Sequence, residues 1–420
     1  MSPRRPRPPG AGPPGRAAMI RRRRLTALGM LIALVIVVVI VLSVGSGGNG
    51  PRYLPSTGGV ASVITPPAST PSRTNAPRRT AFTPAPAAIR LAGRLSLEQQ
   101  VAQLFLVSLD GPSAASVSSL GKLDWGGVVF TATDFSSDGQ VSALAAEVAA
   151  AARAAGEVPP LLAATQEGGP NTAFKDLPPM SEPAVGRTGL PATANAQAAR
   201  AGRKLRALGF NMTLAPNLDV DTPGGALSGR LFSSDPGAVA RFGLAALNGY
   251  AASRVIAAPG HFPGEGGASA DPDAMTATVG GSLAQLRARD LIPFAAVAPH
   301  APVIVMSNAE YVAFDGVTPA GLLGSAVALL RTGSGFHGVV MSDDLDATLE
   351  ATGEDPGTVA VQALQAGDDL LYISGPASEH RQAYEAILAA AKRSTSVRAK
   401  VREALVRDLT LKANYGLTGR

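Results

Sequence analysis

Short apolar runs alternate with longer stretches of mixed polarity from about residue 94 to the C-terminus. The short runs are bounded by Gly, Pro or polar clusters, which is typical of buried strands. They predict eight strands, at residues 105–109, 127–131, 161–165, 212–218, 255–258, 303–307, 338–341 and 370–373.

Between these runs, apolar residues recur every three or four positions, which predicts helices. The helical stretches are residues 140–155, 192–208, 236–252, 283–297, 319–331 and 358–366. Strands and helices that alternate over about 325 residues predict an α/β fold, a (β/α)8 TIM-type barrel. A doubly wound open sheet is the alternative, but its G-x-G-x-x-G fingerprint is not found in a suitable place. The last stretch, residues 394–417, predicts a helix that caps the barrel.

Residues 25–44 form an apolar run of twenty residues without a charged side chain. At about 1.5 Å per residue, a helix of this length spans the roughly 30 Å hydrocarbon core of a bilayer. The block Arg21 to Arg24 precedes the run and belongs on the cytoplasmic side. The pattern predicts a single-pass signal-anchor in the cell membrane, with the C-terminal body extracytoplasmic. A cleaved signal peptide is the alternative, although its apolar region is normally shorter.

The stretch that follows, residues 45–93, is rich in Pro, Ser, Thr, Gly and Ala. Such a segment has too few large apolar groups to build a core, so it predicts a disordered linker. The chain therefore divides into a basic cytoplasmic tail (1–24), a transmembrane anchor (25–44), a linker (45–93) and a barrel (94–420).

Charge and cysteine content exclude several classes of function. The formal net charge is +6, but residues 1–24 hold eight arginines and no acid, which leaves the rest of the chain at −2. A nucleic-acid partner is therefore not expected. The chain has no cysteine, which excludes disulfides, thiolate metal sites and a cysteine nucleophile. No G-x-S-x-G elbow is present, which disfavours a serine triad.

Candidate chemistry follows two of the predicted strands. The strand at 255–258 runs into a loop of Gly and Pro that carries His261, Glu265, Asp271 and Asp273, and the strand at 338–341 is followed by Asp343 and Asp344. Barrel enzymes build their sites from side chains at the C-terminal ends of strands. The alternative is that these acids belong to ordinary strand–helix connections, with Asp343 or Asp344 capping the next helix.

Eight sequence blocks occur in a characteristic order from residue 95 to residue 417. They include Gln166-Glu-Gly-Gly169, Gly260-His-Phe-Pro-Gly264 and Gly335-Phe-His-Gly-Val-Val-Met-Ser-Asp-Asp344. Together they resemble the N-terminal catalytic domain of family 3 glycoside hydrolases, specifically the single-domain exo-β-N-acetylglucosaminidase branch. The resemblance implies retaining hydrolysis of β-linked N-acetylglucosaminides from cell-wall or related glycans, with no cofactor and no metal.

The resemblance also implies roles for individual acids. Asp343 takes the position of the nucleophile, with Asp344 supporting it. The family's acid/base is an Asp-Ser-His dyad, whose Asp falls on Asp271 and whose His falls on Asp273 in this chain. A carboxyl at 273 needs burial or a neighbouring carboxylate to exchange a proton near neutral pH, and coupling to Asp271 would supply that. Glu265, in place of the motif's second His, is another candidate acid.

The sugar-binding positions implied by the resemblance are Arg230, His261, Thr165 and Glu265. Thr165 replaces an Asp that grips sugar hydroxyls, and an expected arginine and lysine are replaced by Ala173 and Gly260. A structural ion pair with Asp219 or Asp235 is the alternative for Arg230, and a packed strand-end residue is the alternative for His261.

Two functions from different classes follow. The first is a membrane-anchored glycosidase with an altered acid/base. The second is a catalytically inactive barrel that binds a glycan or a protein partner. A third alternative is that Asp271, Asp273 and Glu265 collect a hard cation. We expect a carbohydrate substrate, contact with the membrane through residues 25–44 and no nucleic acid.

Overall fold

The computed structural model describes residues 82–109, 111–120 and 123–418. The predicted basic tail, the predicted anchor and most of the predicted linker lie outside these residues. Within the described part of the chain, no helix is both long enough and apolar enough to cross a bilayer.

Eight parallel strands form the barrel, and all eight were predicted from the apolar runs. The strands are β1 (Phe105–Ser108), β2 (Gly127–Phe130), β3 (Leu161–Gly168), β4 (Met212–Leu214), β5 (Ile256–Ala257), β6 (Val303–Val305), β7 (Val339–Asp344) and β8 (Leu370–Ile373). They pair in the order β5-β4-β3-β2-β1-β8-β7-β6. Outside the barrel, Asn171–Thr172 pairs with β3, and Thr278–Val279 pairs with Glu310–Tyr311.

The gap between β5 and β6 is closed by hydrogen bonds just beyond β5. The N–H of Phe262 donates to the carbonyl of Val305 at 2.8 Å, and the N–H of Val305 donates to the carbonyl of Pro259 at 2.9 Å. Because these bonds join the two ends of the sheet, the strands form a nearly closed TIM-like barrel. The predicted α/β barrel class is confirmed.

Helices connect the strands and cover the outside of the sheet. The α-helices are α1 (Pro86–Ala92), α2 (Leu97–Ala102), α3 (Ala114–Ser119), α4 (Asp138–Ala155), α5 (Glu182–Arg187), α6 (Pro191–Ala207), α7 (Pro236–Ala252), α8 (Leu283–Ala288), α9 (Leu291–Val297), α10 (Gly324–Ala328), α11 (Leu345–Thr352), α12 (Pro356–Ala366), α13 (Ala377–Arg393) and α14 (Thr395–Asn414). A 3₁₀ turn, Ala320–Leu322, precedes α10, and a π-helical turn, Leu329–Gly333, follows it.

Two of the predicted helices are interrupted. The stretch at 283–297 divides into α8 and α9, with Pro293 in the first turn of α9. Proline is tolerated in a first turn but breaks a helix interior, so one continuous helix cannot form there. The stretch at 319–331 divides into the 3₁₀ turn, α10 and the π-helical turn.

The barrel has an inner and an outer core, because alternate side chains of a strand point to opposite faces. The inner cluster takes residues from every strand, for example Leu161 and Ala163 of β3. The outer cluster takes the intervening residues, such as Leu162 and Ala164, and packs them against the helices. The inner packing ends where the strands end, so the polar loops lie over a filled barrel.

Helix α14 closes the N-terminal end of the barrel, as predicted for the last helix. Leu411 joins the inner apolar cluster. Lys412, which is fully buried, donates to the carbonyl of Gly126 at 2.9 Å and to Oε1 of Gln103 at 2.7 Å, and lies 3.2 Å from Asp408. Asp124, on the other side of Gln103, accepts from its amide at 2.6 Å. This end of the barrel is therefore sealed by a buried polar network.

Helix α1 lies within the segment predicted as linker. It buries Ala88 and Ala92, and the side chain of Arg402 in α14 donates to the carbonyl of Ala92 at 2.5 Å. The N–H of Ala85 donates to Thr410 Oγ1 at 3.2 Å. The folded body therefore begins before residue 94, because the apolar residues of this stretch have a partner in α14.

Candidate active site

Acidic and basic side chains meet at the C-terminal ends of β3 to β7. Glu167 lies on β3, Asp219 follows β4, His261 and Glu265 follow β5, and Asp343 is the last but one residue of β7. Since these strands are parallel neighbours, their C-terminal ends lie at one rim of the barrel.

Asp343 is held by one oxygen and leaves the other without a partner. Its Oδ1 accepts the N–H of Asp344 at 2.9 Å, while Oδ2 is shielded from solvent and has no hydrogen-bond partner among the described residues. Burial raises the pKa of Asp343 to about 7; the charge of His261 opposes this shift, and those of Asp273 and Asp344 add to it. A desolvated carboxylate with a free oxygen at a strand end can attack an electrophile.

Asp344 has a structural role. Its Oδ1 accepts the N–H of Asp346 at 3.1 Å, which caps α11, and the N–H of Ser374 at 2.9 Å, just after β8. The helix-capping alternative thus applies to Asp344, and the cap fixes the backbone that presents Asp343.

His261 is oriented by two carboxylates. Its Nδ1 lies 2.9 Å from Oδ2 of Asp219 and 3.3 Å from Oε1 of Glu265. Burial lowers the pKa of His261, but the negative charges of Glu265, Asp343 and Asp219 outweigh burial and hold the pKa well above its usual value. The three carboxylates therefore favour the protonated form of His261, near Asp343.

Glu265 lies beneath His261. Its side chain is 2% exposed, and its second oxygen, Oε2, accepts from Ser307 Oγ at 2.7 Å. Burial raises the pKa of Glu265 well above its usual value. The charge of His261 opposes this shift, whereas the charges of Asp219, Asp343 and Asp273 add to it. With both oxygens engaged, Glu265 holds His261 in place and has no oxygen free for a sugar.

Arg230 joins the loop after β4 to two acids. Its guanidinium lies 3.2 Å from Asp271 and 3.6 Å from Glu167, whereas Asp235 caps α7 and pairs with Arg241. Burial lowers the pKa of Arg230, but the negative charges around it outweigh burial and hold the pKa above its usual value. Glu167 makes the largest of these contributions. The ion-pair alternative is therefore observed for Arg230, with partners other than those expected.

Asp271 and Asp273 lie in the loop after β5 and make different contacts. Asp271 accepts the N–H of Asp273 through Oδ1 at 3.2 Å and pairs with Arg230 through Oδ2. Asp273 is exposed, and its negative charge raises the pKa of Asp343 and of Glu167. Asp271 is therefore paired with Arg230, and Asp273 lies at the surface beside it.

Comparison with known proteins decides the family. Residues 96–411 match the family described as "Glycosyl hydrolase family 3 N terminal domain". The chain belongs to glycosyl hydrolase family 3. It is thus a glycoside hydrolase, and the expected family and enzyme class are confirmed.

Individual relatives agree with this assignment. The chain is 34% identical over 261 residues to a protein named Beta-hexosaminidase from Stenotrophomonas maltophilia (strain K279a), a match that covers 60% of this chain and 76% of the relative. A solved β-N-acetylhexosaminidase from Beutenbergia cavernae is similar with a TM-score of 0.69 and 30% identity, covering 77% of this chain and 99% of that one. A family 3 β-N-acetylglucosaminidase from Paenibacillus gives a TM-score of 0.70 at 29% identity, covering 78% of this chain and 64% of that one.

Two departures of this family 3 chain from the family pattern lie side by side. The N–H of Ala173 donates to the carbonyl of Thr165 at 2.9 Å, so the positions expected to hold an Arg and an Asp are neighbours. Thr165 itself is half-buried on β3. The two departures therefore remove both expected charges from one place on the barrel.

Three acids of the site were missed as functional residues at the sequence level. Asp219 pairs with His261, Glu167 pairs with Arg230, and Glu182 of α5 accepts the N–H of Asn217 at 2.9 Å. The strand-end positions of Glu167 and Asp219 could have identified them by the reasoning used for Asp343. Glu182 gives no such signal, because it lies in a short helix remote in sequence from Asn217.

Glu182 extends the acidic region beneath Arg230. With Glu167 and Tyr250 it lines a small cavity, and its Oε2 has no hydrogen-bond partner among the described residues. Burial raises the pKa of Glu182 well above its usual value, and the charge of Glu167 adds to the shift. Burial and Glu167 therefore both favour the neutral form of Glu182 in this region.

Proposed function

We propose that this protein hydrolyses β-linked N-acetylglucosaminides of cell-wall or related glycans, with retention of configuration. The observation that carries the proposal is Asp343: a carboxylate at the end of β7 whose Oδ2 is desolvated and unpartnered among the described residues. The names of the relatives support the choice of hexosaminide as the substrate class.

In the first step, Oδ2 of Asp343 attacks the anomeric carbon while the acid/base protonates the leaving oxygen. A covalent glycosyl-enzyme forms and the aglycone departs as an alcohol. In the second step, the same acid/base, now a carboxylate, takes a proton from water, which displaces Asp343. Arg230 and His261 donate to sugar hydroxyls and limit the positions a ring can take, and Thr165 supplies a hydroxyl in place of the family's carboxylate.

Asp273 is the acid/base in this proposal. It is exposed at the mouth of the site, and its charge acts on Asp343, Glu167 and Arg230. Asp271 is paired with Arg230, and Glu265 is buried with both oxygens engaged. Asp273 is thus the carboxyl of this loop that is left for a glycosidic oxygen, and Asp343 and Glu167 are the neighbouring carboxyls that its role as acid/base requires.

The acid/base assignment predicts a dependence on the leaving group. Asp273→Asn in the full-length protein should lower kcat by about 10²-fold or more for an alkyl β-N-acetylglucosaminide, whose alkoxide needs a proton. For a dinitrophenyl glycoside, which departs without protonation, the first step should be nearly unaffected and seen as a burst of released phenol. Azide, which needs no general base, should speed the second step and yield the β-azide.

Asp271→Asn is the matched control, two residues away in the same loop. It should weaken substrate binding through Arg230 and leave the leaving-group dependence unchanged. A wild-type protein that releases no phenol from any of several aryl β-glycosides would support the alternative of an inactive barrel that binds a glycan or a protein.

We further propose that residues 25–44 anchor the protein in the cell membrane. The support is the length of the apolar run and the block Arg21 to Arg24 before it. The full-length protein should sediment with membranes and resist extraction by high salt, whereas a chain lacking residues 1–44 should not sediment. Protease added to intact spheroplasts should digest the body if it lies outside. A full-length chain recovered in the soluble fraction would contradict the proposal.

A further inference from the structure

The outer side of α1 combines an exposed apolar side chain with arginines. Ile89, Arg90, Gly93 and Arg94 follow the spacing of one helical face, and all four are exposed, Ile89 to 48%. The opposite side of the helix buries two alanines. These four residues are called the α1 face below. Packing of the core does not account for an isoleucine in this position.

The α1 face lies at the end of the barrel opposite the acidic rim. Arg90 and Arg94 line a cavity of about 420 Å³ together with residues 156–159, the loop that leads into the N-terminal end of β3. Leu91 and Leu95 form part of its apolar wall. Two guanidinium groups beside apolar walls suit an amphiphile with an anionic head.

One acid, Glu157, is among the described residues that line this cavity. Burial raises the pKa of Glu157 to about 7, and the charge of Asp124 adds to the shift. At neutral pH its carboxyl therefore carries only part of a negative charge, which leaves the two arginines in excess.

Two arginines of α14, Arg398 and Arg402, extend the positive charge. Arg402 donates to carbonyls of α1 and Arg398 to a carbonyl of α13, and carbonyls leave the charge of a guanidinium uncompensated. In the described part of the chain, the acids of the adjoining helices pair with other bases: Glu98 with Lys392, and Glu403 with Arg407. Four arginines are thus left for an anionic partner.

The rest of the body does not share this charge. Residues 1–81 hold twelve arginines and no acid, so the net charge of +6 for the chain leaves −6 for residues 82–420. Acids are concentrated at the opposite rim, where Glu167, Asp219, Glu265 and Asp343 meet. An anionic surface would therefore attract the end that carries α1 and repel the rim.

The described chain also begins at this end. The ring of Phe82 lies 4.4 Å from the guanidinium carbon of Arg407 in α14, and the N–H of Ala85 donates to Thr410. In the sequence, residues 45–81 separate Phe82 from the apolar run at 25–44. A tether of this length keeps the body near the bilayer at an effective concentration of about 1 mM, at which weak contacts become populated.

We propose that the α1 face, with Arg398 and Arg402, contacts the anionic headgroups of a lipid bilayer. The arginines bind lipid phosphates, and Ile89 enters the boundary between headgroups and acyl chains. An apolar side chain among the arginines favours a lipid surface over a nucleic acid or another fully polar polyanion. The inference rests on the proposed anchor, because a few arginines are too weak to hold an untethered body on a membrane. The contact leaves the rim of the site facing away from the bilayer.

The test places one fluorophore at either end of the barrel. Because the chain has no cysteine, Gly93→Cys on the α1 face and Val317→Cys each create a single labelling position. Gly93 has a φ of −76°, which any residue adopts, and Val317 is 72% exposed in the loop after β6, on the rim side. Each full-length protein carries an N-terminal histidine tag and is held on vesicles by a nickel-chelating lipid, so tethering does not depend on residues 25–44.

Vesicles of phosphatidylcholine are compared with vesicles that also contain phosphatidylglycerol. Both include a nitroxide-headgroup lipid, which quenches a fluorophore at the bilayer surface. Phosphatidylglycerol should raise the quenching of the label at 93 by about 5-fold and change that of the label at 317 little, and high salt should abolish the increase.

Charge variants identify the groups responsible. Arg90→Gln combined with Arg94→Gln should reduce the increase at position 93 by about 5-fold. Arg187→Gln combined with Arg241→Gln is the matched control, because it removes the same charge from exposed arginines of α5 and α7. This control should leave the increase unchanged.

Equal quenching of the two labels on vesicles with phosphatidylglycerol would overturn the proposal. So would undiminished quenching at position 93 in the protein that lacks Arg90 and Arg94. A final wash with imidazole tests the anchor separately: a protein that stays on the vesicles is inserted through residues 25–44. Release by imidazole would contradict the anchor, whereas the label at 93 still decides whether the α1 face contacts the lipid.

Discussion

Asp343→Asn should lower kcat for aryl β-N-acetylglucosaminides by on the order of 10⁴-fold, the scale seen when a nucleophile is removed. The amide cannot form the glycosyl-enzyme, although it still fits the pocket of Asp343 and accepts the N–H of Asp344. Since burial raises the pKa of Asp343 to about 7, kcat/KM of the wild-type enzyme should also rise as the pH increases through about 7 and the carboxylate forms.

Asp344→Asn is a close control for this experiment. Both hydrogen bonds accepted by Asp344 go to Oδ1, which asparagine retains, so α11 stays capped and kcat should fall by less than about 10-fold. A fluorinated glycoside that forms a slowly hydrolysed intermediate should label Asp343 of the wild type, as read by peptide mass spectrometry. A label on another residue, or an Asp343→Asn protein as active as the wild type, would refute the assignment.

Lys412→Met should destabilise the protein by about 3–5 kcal/mol, the usual effect of removing one partner of a buried ion pair. The substitution leaves the carboxylate of Asp408 without its cation and takes a donor from Gln103 and from the carbonyl of Gly126. The free energy of unfolding in urea measures the effect. The active-site rim lies at the opposite end of the strands, so activity of the folded fraction should change little.

Lys392→Met provides the comparison, because Lys392 pairs with Glu98 on the surface, where both side chains are about half exposed. An exposed pair of this kind contributes about 0–1 kcal/mol. Adding Asp408→Leu to Lys412→Met should recover part of the loss, since it removes the unpaired charge. Equal effects of the two lysine substitutions would show that the buried network does not stabilise the fold.

The fold could be predicted from the sequence because its information is local. Each strand is an apolar run that ends at Gly, Pro or polar residues, and each of the eight was found within a few residues of its observed bounds. Where the local pattern was misleading, at 283–297, the cause was also local: Pro293 requires a new helix start. The segment around α1 was read as linker because its few apolar residues are buried only against α14, which is distant in sequence.

The site was less predictable because its pairs join different strands. The positions of His261 and Asp343 at strand ends were enough to place them at one rim. The partners of Arg230, however, depend on which acids the loop after β5 and the end of β3 bring within reach, and these are Asp271 and Glu167. Likewise, the contact of Asp219 with His261 depends on the register between β4 and β5, which no sequence period fixes.

The pairing of β1, the first strand, with β8, the last strand, has a consequence for biosynthesis. Strand β1 lies between β2 and β8, and Gln103 and Gly126 receive the side chain of Lys412. These contacting residues are some 270 to 310 positions apart in the sequence. Strand β1 therefore leaves the ribosome long before β8, its second neighbouring strand, has been synthesised. The barrel cannot close until translation is almost complete, and sequence-distant pairing of this kind slows folding. The nascent chain must therefore be kept from aggregating through an open-edged stage that lasts for most of its synthesis.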